Sequence, residues 1–92
     1  MSEASKTYRV LFEAPAWDEI MALPTKIQER ILGATERLEQ APRPSGVVKL
    51  HGPDDLYRVR VGDYRIIYQI QDAVLVVIVV KAGKRGSVYQ RR

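Results

Sequence analysis

Between Leu56 and Gln71 the chain reads LYRVRVGDYRIIYQIQ, with Arg58, Arg60 and Arg65 set among apolar residues at alternate positions. Alternation of this kind belongs to half-buried β-strands. Gly62-Asp63 suits a two-residue hairpin turn with glycine in the first central position, the type II′ preference. That turn predicts a register in which Val61 opposes Tyr64, Arg60 opposes Arg65, Val59 opposes Ile66, Arg58 opposes Ile67 and Tyr57 opposes Tyr68. Val61, Val59, Tyr57, Tyr64, Ile66 and Tyr68 then share one face, and the three arginines share the other. Like charges directly opposite each other cost about 0.2–1 kcal/mol. An anion held between them reverses the sign, because guanidinium groups pair phosphate through two parallel hydrogen bonds. The bland alternative is that the arginines splay into water or bridge to an acidic side chain such as Asp63.

The end of the chain adds to this cluster. Ala82–Arg92 reads AGKRGSVYQRR, with Lys84, Arg85, Arg91 and Arg92 around Tyr89. A strand over 74–81 that pairs with 64–71 ends beside Tyr64 and Arg65, so this tail is expected to converge on the arginine face. Cations with an interleaved aromatic suit single-stranded nucleic acid, where phosphates are clamped and a base stacks. Lys49, Lys81, Lys84, Arg91 and Arg92 are the expected supporting contacts to an RNA backbone. Charge placement agrees: residues 1–41 carry a net −2 and residues 42–92 a net +6. Such asymmetry points to an anionic partner for the second half.

Other chemistries have weaker support. His51, in a turn, is the only histidine, so a histidine pair for acid–base catalysis is excluded. Asp54, Asp55, Asp63 and Asp72 lie in turns without the spacing of a metal site. A glycine-rich nucleotide cradle is absent. No cofactor or metal is expected. If the bound anion is an RNA to be cleaved, which is what the family resemblance of these residues implies, metal-free cleavage would run by attack of the 2′-hydroxyl on the adjacent phosphorus with loss of the 5′-oxygen. Arg58, Arg60 and Arg65 would hold the phosphate as charge develops. Arg85 would contact the phosphate or the leaving oxygen. Tyr89 would stack on a base or take the 2′-OH proton, its anion favoured by nearby cations. Anchoring of the tail by apolar contact is the competing role for Tyr89.

These residues need a scaffold. The 92 residues fit one domain with one sheet and a pair of helices. There is no cysteine, so apolar burial must hold the fold, and a reducing compartment, the cytoplasm, is expected. The polar head, residues 1–7, is expected to be disordered and lacks the features of a signal peptide. Tyr8–Glu13 predicts a strand. Pro15 opens a short helix with Trp17, Ile20 and Met21 as its apolar stripe. Ile27, Ile31, Ala34 and Leu38 recur on one face of a longer helix from Pro24 to about Gln40. Val47–Leu50, Leu56–Val61, Tyr64–Gln71 and Val74–Lys81 are the remaining strands, the last two joined by Asp72-Ala73. The run AVLVVIVV, Ala73–Val80, is too short to cross a membrane as a helix, which takes about 20 apolar residues.

The order strand–helix–helix–meander, the hairpin LYRVRVGDYRIIYQI and the ending KAGKRGSVY resemble the RelE branch of the RelE/ParE toxin superfamily, over Tyr8 to about Arg92. The hairpin identifies the superfamily; Gly83-Lys84-Arg85 with Val88-Tyr89 is similar to the RNA-cleaving branch. The resemblance implies a two-layer α+β fold, two N-terminal helices on a mainly antiparallel sheet, with the first strand beside the last. It also implies a type II toxin, a ribosome-dependent endoribonuclease that cuts mRNA in the A site. Its partners would be the ribosome, mRNA and a RelB-like antitoxin, acidic and partly disordered alone, with no membrane involved. The family's basic and tail residues fall on Arg58, Arg60, Arg65, Arg85 and Tyr89. Lysines stand at the first two positions in well-studied members. Guanidinium does not surrender its proton in proteins, so Arg58 and Arg60 are expected to clamp rather than to accept protons. A ParE-like inhibitor of DNA gyrase, a non-catalytic nucleic-acid binder and an inactive antitoxin-binding relative are the alternatives on the same fold.

Overall fold

The computed structural model describes residues 7–84. Its elements run β1 (Arg9–Phe12), α1 (Ala14–Met21), α2 (Thr25–Arg37), β2 (Val48–Lys49), β3 (Leu56–Val61), β4 (Tyr64–Gln71) and β5 (Val76–Lys84). The strands form one sheet in the order β1-β5-β4-β3-β2. β1 lies parallel to β5, and the other neighbours are antiparallel. The fold is therefore α+β, two helices against one face of a mainly antiparallel sheet. Residues 1–6 of the head lie outside the described residues.

The core forms where the period-2 face of the sheet meets the period-3.6 stripe of the helices. Ile20, Ile31, Leu38, Ile66, Tyr68, Val77 and Val79 are fully buried there. The stripe on α2 follows the sequence reading: Ile31, Ala34 and Leu38 are buried and Ile27 packs against them. The stripe on α1 does not. Ala16 and Ile20 face the core, four residues apart, whereas Trp17 and Met21 are exposed. Trp17 instead meets Phe12 edge to face, with ring centroids 5.2 Å apart. α2 ends at Arg37 and β2 is two residues long, both shorter than the spacing predicted.

The corner between the helices is closed by a side chain. Pro24 and Thr25 open α2 without a capping side chain. Gln28 Nε2 donates to the carbonyls of Met21 (3.0 Å) and Leu23 (2.8 Å), satisfying acceptors that α1 leaves open at its end.

Two departures occur along β5. Residues Asp72–Val74 form a 3-10 turn closed by Leu75 in the left-handed region (φ 57°), so β5 begins at Val76 rather than Val74. Further on, Tyr68 opposes Val79 while Ile67 opposes Lys81, leaving Val80 as a bulge. The extra residue resets the alternation, so Val77, Val79 and Ala82 all face the core. Beyond the end of β1, α1 takes over the edge of β5. Glu19 accepts from the Ala82 backbone N–H (3.0 Å) and pairs with Lys81 Nζ (2.9 Å).

The 41–47 loop is tied to the opposite end of the sheet. Tyr68 OH donates to the Pro42 carbonyl at 2.7 Å. Asp72 accepts from Tyr8 OH (2.6 Å) and from both terminal nitrogens of Arg43 (3.2 and 2.7 Å). Arg43 also sits over the Tyr57 ring, which stacks on Tyr68. Burial pushes the Tyr68 phenol up to about 12, and donation to Asp72 raises that of Tyr8. Both folded values exceed the unfolded value, so this contribution is complete below pH 10 and is lost as pH rises through 10 to about 12.

Thermal melts between pH 7 and 12 should therefore show a steep alkaline decline that Tyr68→Phe flattens. The same variant should lose about 1 kcal/mol at neutral pH, because the Pro42 carbonyl loses its donor. A decline of equal steepness in Tyr68→Phe would contradict this assignment. At the other end, Glu19→Ala should cost about 1 kcal/mol by stranding the Ala82 N–H, with Glu19→Gln recovering part of it. Hydrogen exchange at Ala82 reads the effect directly.

Candidate nucleic-acid interface

The hairpin has the register that its turn predicts. Arg60 opposes Arg65, Arg58 opposes Ile67, Tyr57 opposes Tyr68 and Val61 opposes Tyr64. Gly62 has φ 61° and Asp63 does not have positive φ, which is the type II′ pattern. The positive φ of Gly62 is what asks for glycine at this turn. A Cβ there would also stand 2.9 Å from Arg30 Nη2, since the Arg30 guanidinium lies against the turn.

Carried across β4 onto β5, the register defines two rows on the face away from the helices. One is Arg60, Arg65 and Gly83; the other is Arg58, Ile67 and Lys81. Four of the expected residues, Arg58, Arg60, Arg65 and Lys81, are thus grouped on two neighbouring rows of one face. Gly83 leaves the position beside Arg65 without a side chain. Their environments differ. Arg60 is exposed and Arg58 half-buried. Arg65 is only 8% exposed, so it is not splayed into solvent. A buried guanidinium is held in place and presents its charge through a medium that screens less than water. Lys81 directs its ammonium to Glu19, at the edge of β5.

The two other expected lysines within the described residues, Lys49 and Lys84, go elsewhere. Lys49 is in register with Tyr57, on the helix side of the sheet. Its ammonium lies 5.9 Å from the Tyr57 ring centroid and 3.6 Å from Asp55. Lys84 is in register with Tyr64, also a core-face position, at the last described rung of the ladder. Neither shares the arginine rows. Arg85, Tyr89, Arg91 and Arg92 lie outside the described residues. His51 is exposed, and among the described residues no three acidic or histidine side chains are grouped as metal ligands would be. No helix among the described residues is long and apolar enough to cross a membrane.

Sequence reasoning missed two arginines. Arg30 and Arg37, one above the other on α2, line a groove of about 520 Å³ along the helix side of β3, whose wall on the strand includes Val59, Arg60 and Val61. Their spacing of seven residues was the available signal. It was hidden because a charged face opposite an apolar stripe reads as solvated surface.

Comparison with known proteins fits this geometry. The family model described as the ParE toxin of type II toxin–antitoxin systems, parDE, matches residues 10–89. A RelE-like toxin protein of Escherichia coli is 33% identical over 81 residues, covering 85% of this chain and 83% of that one. RelE from the archaeal RelE–RelB complex of Pyrococcus horikoshii is 38% identical and superposes with a TM-score of 0.78, over 87% of this chain and 97% of that one. The intact Escherichia coli RelBE toxin–antitoxin complex gives 28% identity and a TM-score of 0.74, over 92% and 99%. With the sheet order, the hairpin register and matches that span most of its length, the chain belongs to the RelE/ParE superfamily of toxins of type II toxin–antitoxin systems.

Proposed function

We propose that this toxin is a RelE-type endoribonuclease, a cytoplasmic mRNA interferase that cleaves message on the ribosome and so inhibits translation. The observation that supports it most is the cross-strand pair Arg60–Arg65 with Arg58 two residues away on the same face. Like charges opposed on a sheet are a cost to the fold, and a bound phosphodiester turns that cost into affinity.

The reaction is a transesterification within RNA. The 2′-oxygen loses its proton and attacks the adjacent phosphorus, the bond to the 5′-oxygen breaks, and that oxygen takes up a proton. The products are a 2′,3′-cyclic phosphate and a 5′-hydroxyl. Arg58, Arg60 and Arg65 hold the non-bridging oxygens and stabilise the added negative charge of the transition state. Arg85 supports the phosphate or the leaving oxygen, and Tyr89 stacks on a base or receives the 2′-OH proton. Lys81, Lys84, Arg91, Arg92 and, from the far side of the sheet, Lys49 add longer-range attraction for RNA, which salt weakens. Guanidinium groups are poor proton carriers, so the protein alone provides charge stabilisation with little acid–base help. In-line orientation of the 2′-oxygen is left to the ribosome, and positioning of that kind is worth several kcal/mol.

A co-encoded antitoxin is the regulatory partner, RelB-like, acidic and partly disordered alone. The relatives crystallised as RelE–RelB complexes support this reading. Inhibition of DNA gyrase is the second reading, because the matching family model is described as a ParE toxin. Supercoiling assays beside translation assays separate the two. Gyrase inhibition without message cleavage would replace the first reading.

On programmed ribosomes, Arg65→Ala should slow cleavage by about 100-fold or more, the scale of removing one preorganised charge donor. Arg85→Ala and Tyr89→Phe should each slow it as well, and full activity in both would remove them from the mechanism. The isolated protein should cut naked RNA far more slowly than ribosome-bound message. Equal rates would refute the dependence on the ribosome. Arg60→Thr should raise the melting temperature while lowering cleavage, because it relieves about 0.2–1 kcal/mol of cross-strand repulsion. Unchanged or lower stability would show that this repulsion is already neutralised within the fold.

A further inference from the structure

The sheet has an open edge at β1, the first strand in the order β1-β5-β4-β3-β2. On its inner side β1 is paired. The Arg9 N–H donates to the Leu75 carbonyl and the Glu13 N–H to the Val79 carbonyl, both at 2.9 Å. Backbone groups alternate sides along a strand, so Val10 and Phe12 point their N–H and C=O groups away from β5. Such a row of groups is a template for another strand, and edges are commonly guarded by lysine or proline. Between Arg9 and Glu13 this edge has neither. It carries instead one cation and one anion, each two residues from Leu11, which is 41% exposed.

Set beside a second copy running the other way, the segment RVLFE is complementary to itself. A two-fold axis through Leu11 places Val10 opposite Phe12 of the second copy, and Phe12 opposite its Val10. Both residues have outward backbone groups, so each pair exchanges two hydrogen bonds. Leu11 meets its own copy at the axis, a pair without hydrogen bonds, where side chains come closest. Arg9 stands opposite Glu13 twice, and unlike charges directly opposed across strands are favourable. Glu13 can take part because its backbone is still extended (φ −69°, ψ 148°). Neither Arg9 nor Glu13 has an ion pair among the described residues. The neighbouring frames fail. An axis at Val10 opposes Phe12 to Tyr8, whose N–H is already given to the Glu39 carbonyl. An axis at Phe12 opposes Val10 to Ala14, which is already in α1.

We propose that β1 is the seam of a two-fold dimer of this chain, which joins two five-stranded sheets edge to edge. The axis stands perpendicular to the sheet, so both helix layers lie on one side and both arginine faces on the other. The two arginine clusters stay open. From one β4 to the other is five strand spacings, on the order of 24 Å. Trp17, 41% exposed and edge-on to Phe12, lies along the seam on the helix side. A second copy fits better than an unrelated strand because its charge order and its length of extended chain are those the edge requires. The seam is short, so the association is weak and depends on concentration. It holds whether the toxin acts on RNA or on gyrase.

Sedimentation equilibrium of the full chain alone, from about 1 to 500 μM, measures the association. A monomer–dimer equilibrium is expected, with hydrogen exchange at the Val10 and Phe12 amides slowing as the dimer forms. Leu11→Lys should weaken the dimer by about tenfold or more, because it sets like charges against each other at the axis. Arg9→Glu and Glu13→Arg should each weaken it as well. The double variant Arg9→Glu/Glu13→Arg should recover the parental affinity to within about threefold, which damage to the fold would not do. A chain that stays monomeric over the whole range overturns the proposal. So does a dimer that Leu11→Lys and both single charge variants leave unchanged, since its seam lies elsewhere. Protection of the Val10 and Phe12 amides only after the antitoxin is added, with the chain alone monomeric, gives the edge to that partner and overturns the proposal too.

Discussion

The pairing frame of the β3–β4 hairpin is the constraint on which the rest of the molecule depends. A two-residue turn at Gly62-Asp63 admits one frame, and a slip of one residue would exchange the faces of the strand. The frame that buries Tyr57, Ile66 and Tyr68 under the helices is the same frame that sets Arg60 against Arg65. Core and cation surface are therefore a single choice. No arrangement of this hairpin keeps the aromatic residues dry and also separates the arginines onto different sides.

Polar contacts in the structure locate parts rather than hold the fold together. Arg43 and Asp72 are each about half exposed, and pairs of that kind contribute about 0–1 kcal/mol. Their work is geometric. Asp72 gathers Tyr8 and Arg43, so the start of the chain, the 41–47 loop and the end of β4 meet at one carboxylate. Glu19 does the same at the opposite end, where it caps the last rungs of β5 just before the segment that carries Arg85. Stability comes from the apolar contact of two helices with one sheet face, and it is spread over many side chains.

Much of this was legible in the residues, for reasons that can be named. The hairpin frame was readable because turn chemistry and strict alternation gave the same answer. The α2 stripe was readable because its spacing is helical over four residues. The α1 stripe was misread, since Trp17 is as apolar as any core residue and nothing in an eight-residue helix distinguishes a side chain bound for the core from one bound for a surface. The 3-10 turn and the bulge were hidden in AVLVVIVV, where a continuous apolar run carries no phase. Lys49 shows the same limit for charges: its sign was readable, and its side of the sheet depended on a two-residue strand whose partner could not be counted. The groove beside α2 needed three elements at once, which no local pattern records.

The unpaired Val80 has an effect on how the sequence can drift. Ahead of it, β5 keeps step with β1 through Val76–Val79. After it, the strand keeps step only with β4, and Lys81 and Gly83 look outward. The extra residue works as a clutch between the two halves. Upstream, Val77 and Val79 stay in the fully buried interior, and downstream Lys81 and Gly83 take the outward positions that the register with β4 gives them. A strand that belongs to two neighbours with unrelated demands is thereby free to satisfy each of them separately.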